Sequence, residues 1–542
     1  MRTSRIAKFG TYLTIALTAL LAVVGCDRTN AAAVEEQSVI SYNGTEPENP
    51  LIPGDTVEVG GVKVLNALFK GLVEYDPHTA APRNAVAESI STTDSKVYTI
   101  TLKSGWTFQD GTPVTANSFV DAWNFTAYSP NQQQGASFFS HVEGFDHVNT
   151  PAPPEGAGPV RLPPAREMSG LRVVDDRTFV VTLSAPFSTF ATQLGAAPFY
   201  PLPASFYADP AAFAAHPIGN GPFEFVSYTP GSNILVHRYD GYAGPRPHIG
   251  GIEYRFYANL DDAYADVVAN RLDYLDFAPW TALTNDRYKS ELVDRNVSQP
   301  YLGVQAISFP LYDQRYADPR VRQALSMAID RVGLIDRVFH GRRTPSDGIV
   351  PPNVPGATSG QCGELCTYQP ERAKQLFDST GFEGPIELTS NIDSGNEEWM
   401  RVTCEYIASS LDRPCIFVPV SSLGEFRRQI DDHTVTAPFR SAWVADYPSI
   451  ENFLNPVYRT GASSNAGQYS NPAVDELLAR ADSAPSEAEG TQLYQQAERV
   501  VLQDMPTIPI WYQSALSAWS TRLHDVVPTP FRELDLASVT VS

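Results

Sequence analysis

After an opening apolar run, Tyr12 to Val24, the chain settles into short apolar segments broken by polar and turn-forming residues. Ser38-Val39-Ile40-Ser41-Tyr42 reads as the first strand. Lys96 to Leu102 and Thr178 to Leu183 alternate with the period of two expected of half-buried strands. Helix starts are marked by their caps. Thr115 precedes Phe119, Ala122 and Trp123; Asp318-Pro319 precedes Val321, Leu325 and Ile329; Asn471-Pro472 precedes Leu477 and Leu478. Ser486 with Glu489 forms a capping box ahead of Leu493, Ala497 and Val501, which recur on one face. Strands and helices mix without regular alternation. Asn149 to Gly170 is rich in Pro, Gly and Ala and reads as an exposed loop or insertion.

The opening run is about a dozen residues long, which suits a signal h-region and is short for a spanning helix. Arg2, Arg5 and Lys8 precede it, and Val23-Val24-Gly25-Cys26 follows. That tetrapeptide resembles a bacterial lipobox, in which Cys26 is lipidated and becomes the first mature residue. The alternative is an ordinary secretory peptide cut near Ala31-Ala32-Ala33. Either way the protein is expected outside the cytoplasm, and in the first case anchored to the cell membrane by lipid. Residues 26–37 have almost nothing to bury and read as a flexible tether.

Charge narrows the possible partners. The chain has 39 basic and 61 acidic residues, a formal net charge of −22, and loss of residues 1–25 would make it three charges more negative. Such a surface argues against nucleic acid and against polybasic contact with anionic lipid. At 542 residues, length implies two to four domains of roughly 150 residues each. Cys362, Cys366, Cys404 and Cys415 are an even set in an oxidising compartment, with three possible pairings. Cys362–Cys366 and Cys404–Cys415 are preferred because each closes a short loop. A four-thiolate zinc site is the alternative, against which the spacing speaks.

Catalytic signatures are missing. There is no G-x-S-x-G elbow, H-E-x-x-H, P-loop or Rossmann fingerprint, and Gly219-Asn220-Gly221 lacks the third glycine of a phosphate cradle. The histidines are scattered, and paired acids such as Asp261-Asp262 and Asp431-Asp432 point in different directions on any regular element. No nucleophile–base pair, metal site or cofactor is nominated. The chain reads as a binder; a secreted hydrolase with an unrecognised site is the competing class.

Five segments, in order, carry a family resemblance: Asn43-Gly44-Thr45-Glu46; Leu68 to Asp76 (LFKGLVEYD); Trp106 to Ala116 (WTFQDGTPVTA); Ile218 to Phe223 (IGNGPF); and Asp318 to Asp330 (DPRVRQALSMAID). Together they resemble the family 5 extracellular solute-binding proteins of ABC transporters, the oligopeptide- and dipeptide-binding group. Asn220, Asn117-Ser118 and Asn270 depart from the family pattern at turns and helix ends. The resemblance implies an α/β, two-lobe periplasmic-binding-protein-like fold of class II with an extra subdomain and a hinge. The first lobe would span 38–300 with an inserted subdomain at about 61–175, the second 301–511, and 512–542 would return to the first. Two crossings, near Tyr301–Gln305 and Ile510–Gln513, would form the hinge.

The resemblance also implies a site. Arg440 to Pro448 (RSAWVADYP) resembles the peptide binders' W-x-A-D-Y segment, in which Asp446 would pair with a peptide ammonium. Trp443 would wall a side-chain pocket, and the backbone at Ala442 and Val444 would pair with the peptide. Arg440 would meet a carboxylate. Val57-Glu58-Val59 would be the opposing backbone-pairing strand, with Gln513 and Phe138 nearby. The competing readings are core packing for Trp443 and a helix cap or surface acid for Asp446. The partners implied are short peptides and the permease subunits of an ABC importer, with the protein a monomer. The same fold binding a nickel chelate, haem or sugar is the alternative.

Overall fold

The computed structural model describes residues 38–150, 162–392, 395–462 and 464–542. The signal segment, Cys26 and the tether lie outside the described residues, as do residues 151–161 of the Pro-rich loop.

The first strand, β1 (Val39–Gly44), leads to helix α1 (Val59–Leu68) and later to α2 (Ala116–Ala127). Strands β2 (Phe223–Thr229), β3 (Asn233–Arg238), β4 (Gly251–Phe256) and β5 (Tyr274–Leu275) follow. The long strand β6 (Asn296–Ser308) then carries the chain into a second body. That body is built from α3 (Pro319–Met327), β7 (Ile386–Asn391), β8 (Cys415–Val420), β9 (Phe439–Val444), α4 (Ile450–Tyr458), α5 (Pro472–Asp482) and α6 (Glu487–Asp504). Strand β10 (Thr507–Trp519) brings it back. One sheet runs through both bodies in the order β8-β7-β9-β6-β10-β5-β1-β4-β3-β2, with the short strand Thr344–Pro345 on β10. Pairing is parallel for β1 with β4 and for β7 with β8, and antiparallel for β6 with β9 and β10.

The expected caps are in place. Asp318, Asn471 and Ser486 each accept a backbone N–H from the first turn of α3, α5 and α6. Ser118 Oγ accepts the N–H of Thr115 at the start of α2. The two alternating segments form Val97–Leu102 and Thr178–Thr182, which pair in a separate four-stranded sheet. Its buried face packs on α2, with Phe179 against Phe119 and Trp123. Asn270 takes the left-handed conformation (φ 56°) that asparagine tolerates.

Two main cores result. One gathers Ile40, Tyr42, Leu65, Trp123, Val236 and Ile252, together with Leu523, Leu534 and Val539 from the chain end. The other gathers Leu302, Ile307, Leu325, Leu388, Phe453 and Val501. Ala80, on a turn of the first lobe, is buried in the second core, so the lobes touch beyond the connecting strands. Where β6 and β10 join the lobes their register slips. Pro300 faces Ser514 and Val304 faces Tyr512, so Tyr301, Leu302 and Gly303 are opposed by Gln513 alone. Such an excess of residues on one strand bends it locally.

In the first lobe, α1 is tied to the sheet by a buried ion pair. Lys63 Nζ lies 2.6 Å from Asp276 Oδ2, their side chains 5% and 4% exposed. Asp276 also accepts from Asn43 Nδ2 at 2.8 Å, and Lys63 donates to Asn43 O at 3.1 Å. In the second lobe both cysteine pairs are bonded, Cys362–Cys366 and Cys404–Cys415, as their spacing implies. The second links the helix Glu397–Leu411 to β8.

Candidate functional site

A cleft of about 440 Å³ lies between the lobes. Val57, Val59, Phe69, Tyr75 and Phe138 wall it on the first lobe; Val444, Ala445 and Asp446 face them from the second. Val57 and Val59 are 44% and 52% exposed, large apolar side chains presented to the cleft. Only Val57 and Glu58 remain outside regular helix, because Val59 already opens α1. Glu58 stands at the N-cap and accepts the N–H of Gly61 at 3.1 Å, so a helix cap stands where the resemblance implies a backbone-pairing strand.

The Gly219-Asn220-Gly221 turn braces the same wall. A Cβ on Gly219 would fall 1.8 Å from Leu68 O, and one on Gly221 2.5 Å from Leu68 C, so only glycine fits. Asn220 pairs with the backbone of Lys70 in both directions, accepting from its N–H and donating to its carbonyl, each at 2.9 Å. The two cations on this wall have partners: Lys70 contacts Glu74 at 2.8 Å and Arg83 lies 3.4 Å from Asp76.

Asp446 follows β9, and Ser449 caps α4 just beyond it. Asn452, in the first turn of α4 and 1% exposed, holds the segment. Its Nδ2 donates to Asp446 Oδ2 at 3.2 Å, while its Oδ1 accepts the Asp446 N–H at 3.0 Å and Trp443 Nε1–H at 3.3 Å. No cation neighbours Asp446 among the described residues. The carboxyl is open to water in the cleft while both lobes crowd around it. That crowding pushes its pKa above the usual carboxylate range, against the pull of Asn452. Tyr75 of the first lobe feels the Asp446 charge across the gap and donates its hydroxyl to Thr192 O at 2.8 Å.

The other expected site residues are distributed around this centre. Ala442 and Trp443 line a small separate pocket of about 70 Å³ with Phe453, Tyr458 and Thr507. Trp443 is half-buried against the second core, so the packing reading describes part of its surface. Arg440 and Gln513 line neither space: Gln513 opposes the bend in β6, and Arg440 pairs with Ile307 farther along that strand. Gln513 donates to Gln305 Oε1 at 3.2 Å and accepts from Trp511 Nε1 at 3.3 Å. Burial lowers the Arg440 pKa. Sequence reasoning did not single out Asn452, Tyr75 or Glu533. Glu533 lines the cleft and takes both amide contacts of Asn66 at 3.0 Å. Asn452 had one local signal, its place in the first turn after the Ser449 cap. Among the described residues no cluster of His, Cys, Asp and Glu is arranged to hold a metal, and no helix is long and apolar enough to cross a membrane.

Comparison with known proteins adds relatives for this arrangement. The sequence profile for bacterial extracellular solute-binding proteins, family 5 middle, matches residues 81–465. The periplasmic oligopeptide-binding protein OppA of Escherichia coli K12 is 27% identical over 499 residues, covering 88% of this chain and 87% of its own. The glutathione-binding protein GsiB of Escherichia coli O157:H7 is 25% identical over 488 residues, covering 87% and 88%. Among solved structures, Haemophilus influenzae OppA in complex with RPPGFSPFR superposes with a TM-score of 0.76 at 21% identity, covering 93% of this chain and 99% of its own. The Escherichia coli murein tripeptide binding protein MppA gives 0.76 at 20% identity, covering 93% and 98%. These structures share the two-lobe α/β fold.

Proposed function

The chain belongs to the bacterial extracellular solute-binding proteins of family 5, and on that premise we propose that it captures short peptides between its lobes and delivers them to the permease of an ABC importer. The observation that carries this reading is Asp446, a crowded carboxylate in the cleft with no cation beside it among the described residues. A peptide α-ammonium supplies the missing charge, and each ion offsets the other's loss of water.

The adjoining backbone supports the same reading. Strand β9 pairs with β6 from Phe439 to Val444 along one edge, but with β7 only at Phe439 along the other. The free edge beside Arg440 to Val444 offers N–H and C=O groups to an extended peptide, which would join as an added strand. OppA, GsiB and MppA are named for peptide or peptide-like ligands, in keeping with this use of the cleft.

Closure is assigned to the bend where Tyr301–Gly303 face Gln513. The lobes then comprise about 38–300 with 512–542, including the subdomain at 61–175, and 301–511. Cys26 is assigned the lipid anchor. One acyl chain holds only marginally, so at least two are expected. Cys26→Ser is expected to release a fully competent binder into the medium, measured by fractionation and peptide titration; retention on the membrane would overturn the anchor. The central test is native mass spectrometry of the chain starting at Asp27. A co-purifying mass that fragments as peptide is expected, and a haem, sugar or metal chelate in its place would overturn the peptide reading.

A further inference from the structure

The lining of the cleft is more acidic than an ammonium site requires. Five carboxylates face it, those of Glu74, Asp76, Asp446, Glu533 and Asp535, against two basic side chains, Lys70 and Arg83. Lys70 is paired with Glu74 and Arg83 with Asp76. That leaves Asp446, Glu533 and Asp535 without an ion-pair partner among the described residues. Asp446 is on the second lobe. Glu533 and Asp535 come from the chain end, on the first.

Glu533 is held on a tight turn. Pro528 bridges Leu534, Thr529 N–H donates to Glu533 O at 2.7 Å, and Glu533 N–H donates to Thr529 Oγ1 at 3.2 Å. Leu302 N–H donates to Pro530 O at 3.0 Å, which ties the turn to β6. The neighbouring Arg532 lies over the rings of Phe277 and Tyr301, 5.3 and 5.8 Å from their centres, while Glu533 faces the cleft. Asn66 orients the carboxylate: its Nδ2 lies 3.0 Å from both oxygens, and its Oδ1 accepts the Tyr200 hydroxyl at 2.8 Å. One amide leaves most of a carboxylate's acceptor positions open. Burial raises the Glu533 pKa, and Asn66, Lys63 and Arg532 do not offset it. Lys63 is committed to Asp276 at 2.6 Å. On the same turn Phe531 packs against Tyr75, ring centres 5.1 Å apart, and Tyr75 feels the Asp446 charge. This aromatic pair joins the surroundings of the two carboxylates and offers an apolar face to the methylene stem of a long cationic side chain.

We propose that Glu533, with Asp535 two positions further on, is a receptor for a cationic side chain, so that the cleft selects peptides carrying lysine or arginine near the amino end. The inference rests on the peptide reading of Asp446 and adds a specificity residue on the opposite lobe. The ligand then brings two positive charges, its α-ammonium to Asp446 and its side chain to Glu533. Each carboxylate gains the counter-ion that its crowded position lacks.

Calorimetric titration of alanine tetrapeptides carrying lysine or norleucine at each position in turn, free and N-acetylated, tests the two carboxylates separately. Norleucine keeps the stem of lysine and removes its charge. For the wild-type protein, lysine at one position near the amino end is expected to bind about tenfold or more tighter than norleucine there, as a charged hydrogen-bonded contact does. In Glu533→Gln that advantage should vanish. An advantage that survives the substitution undiminished overturns the assignment to Glu533. An equal gain at every position is the long-range pull of an acidic protein and overturns a receptor of any kind. Lysine and norleucine that bind within about twofold at every position, with N-acetylation still harmful, overturn the receptor and leave the Asp446 reading standing. A positional lysine advantage with harmless acetylation does the reverse. Absence of binding by every peptide overturns both. The comparison of lysine with norleucine is made on the wild type and needs no variant to fold.

Discussion

Asp446→Asn is expected to weaken binding of a peptide with a free amino terminus by at least about a hundredfold, because the ammonium would then enter the cleft without its counter-ion. The N-acetylated peptide should already bind weakly to the wild type, and the substitution should change that binding little. Calorimetry on the two peptides and two proteins forms a closed cycle. Equal affinity of wild type for blocked and free peptide would remove Asp446 from the site. Asn452→Ala should lower affinity by a smaller factor, roughly tenfold, through loss of the contact that orients Asp446 and Trp443. The pH dependence has a definite sign. Burial between the lobes raises the Asp446 pKa, and only the ionised form pairs with ammonium. Affinity should therefore fall on acidification through that raised value, starting above the usual carboxylate range, and binding within this window should expel a proton.

The second large effect concerns stability. Lys63→Met is expected to destabilise the first lobe by about 3–5 kcal/mol, since it leaves Asp276 buried without its cation. Chemical denaturation of the lipid-free protein, followed by fluorescence, measures this. Lys63→Met combined with Asp276→Leu should recover much of the loss, because removing both charges also removes both desolvation costs. A single substitution that costs under about 1 kcal/mol would show that the pair is not stabilising α1 as argued. Lys63 first among the causes that oppose burial holds the Asp276 pKa below its ordinary value despite the desolvation. A depressed carboxylate contributes stability that is present above its unfolded value of about 3.9 and is lost as pH falls through the folded value. The wild type should therefore lose first-lobe stability in strong acid, and the double variant should lose less.

The local features were legible because their causes are local. Asp318, Asn471 and Ser486 cap helices using donors two or three residues away. Alternation at Tyr98, Ile100 and Leu102 marks a buried face directly. The cysteine pairs close short loops, so proximity in sequence becomes proximity in space. Val57-Glu58-Val59 differs from the strand that the resemblance implies, because the Glu58–Gly61 cap starts a helix at Val59. The ligand role proposed for the Trp443-to-Tyr447 segment came through resemblance alone, since a tryptophan and an aspartate have ordinary structural uses.

From the order of its residues alone, the chain determined its helix starts and its principal alternating strands, since each depends on near neighbours. The site needed the folded molecule. Tyr75 faces Asp446 only because the lobes meet. Whether a charge is paired or unpaired is a property of everything packed around it. No periodicity along the chain encodes that, so the tertiary structure alone decided that the Asp446 carboxyl faces the cleft with no cation beside it among the described residues.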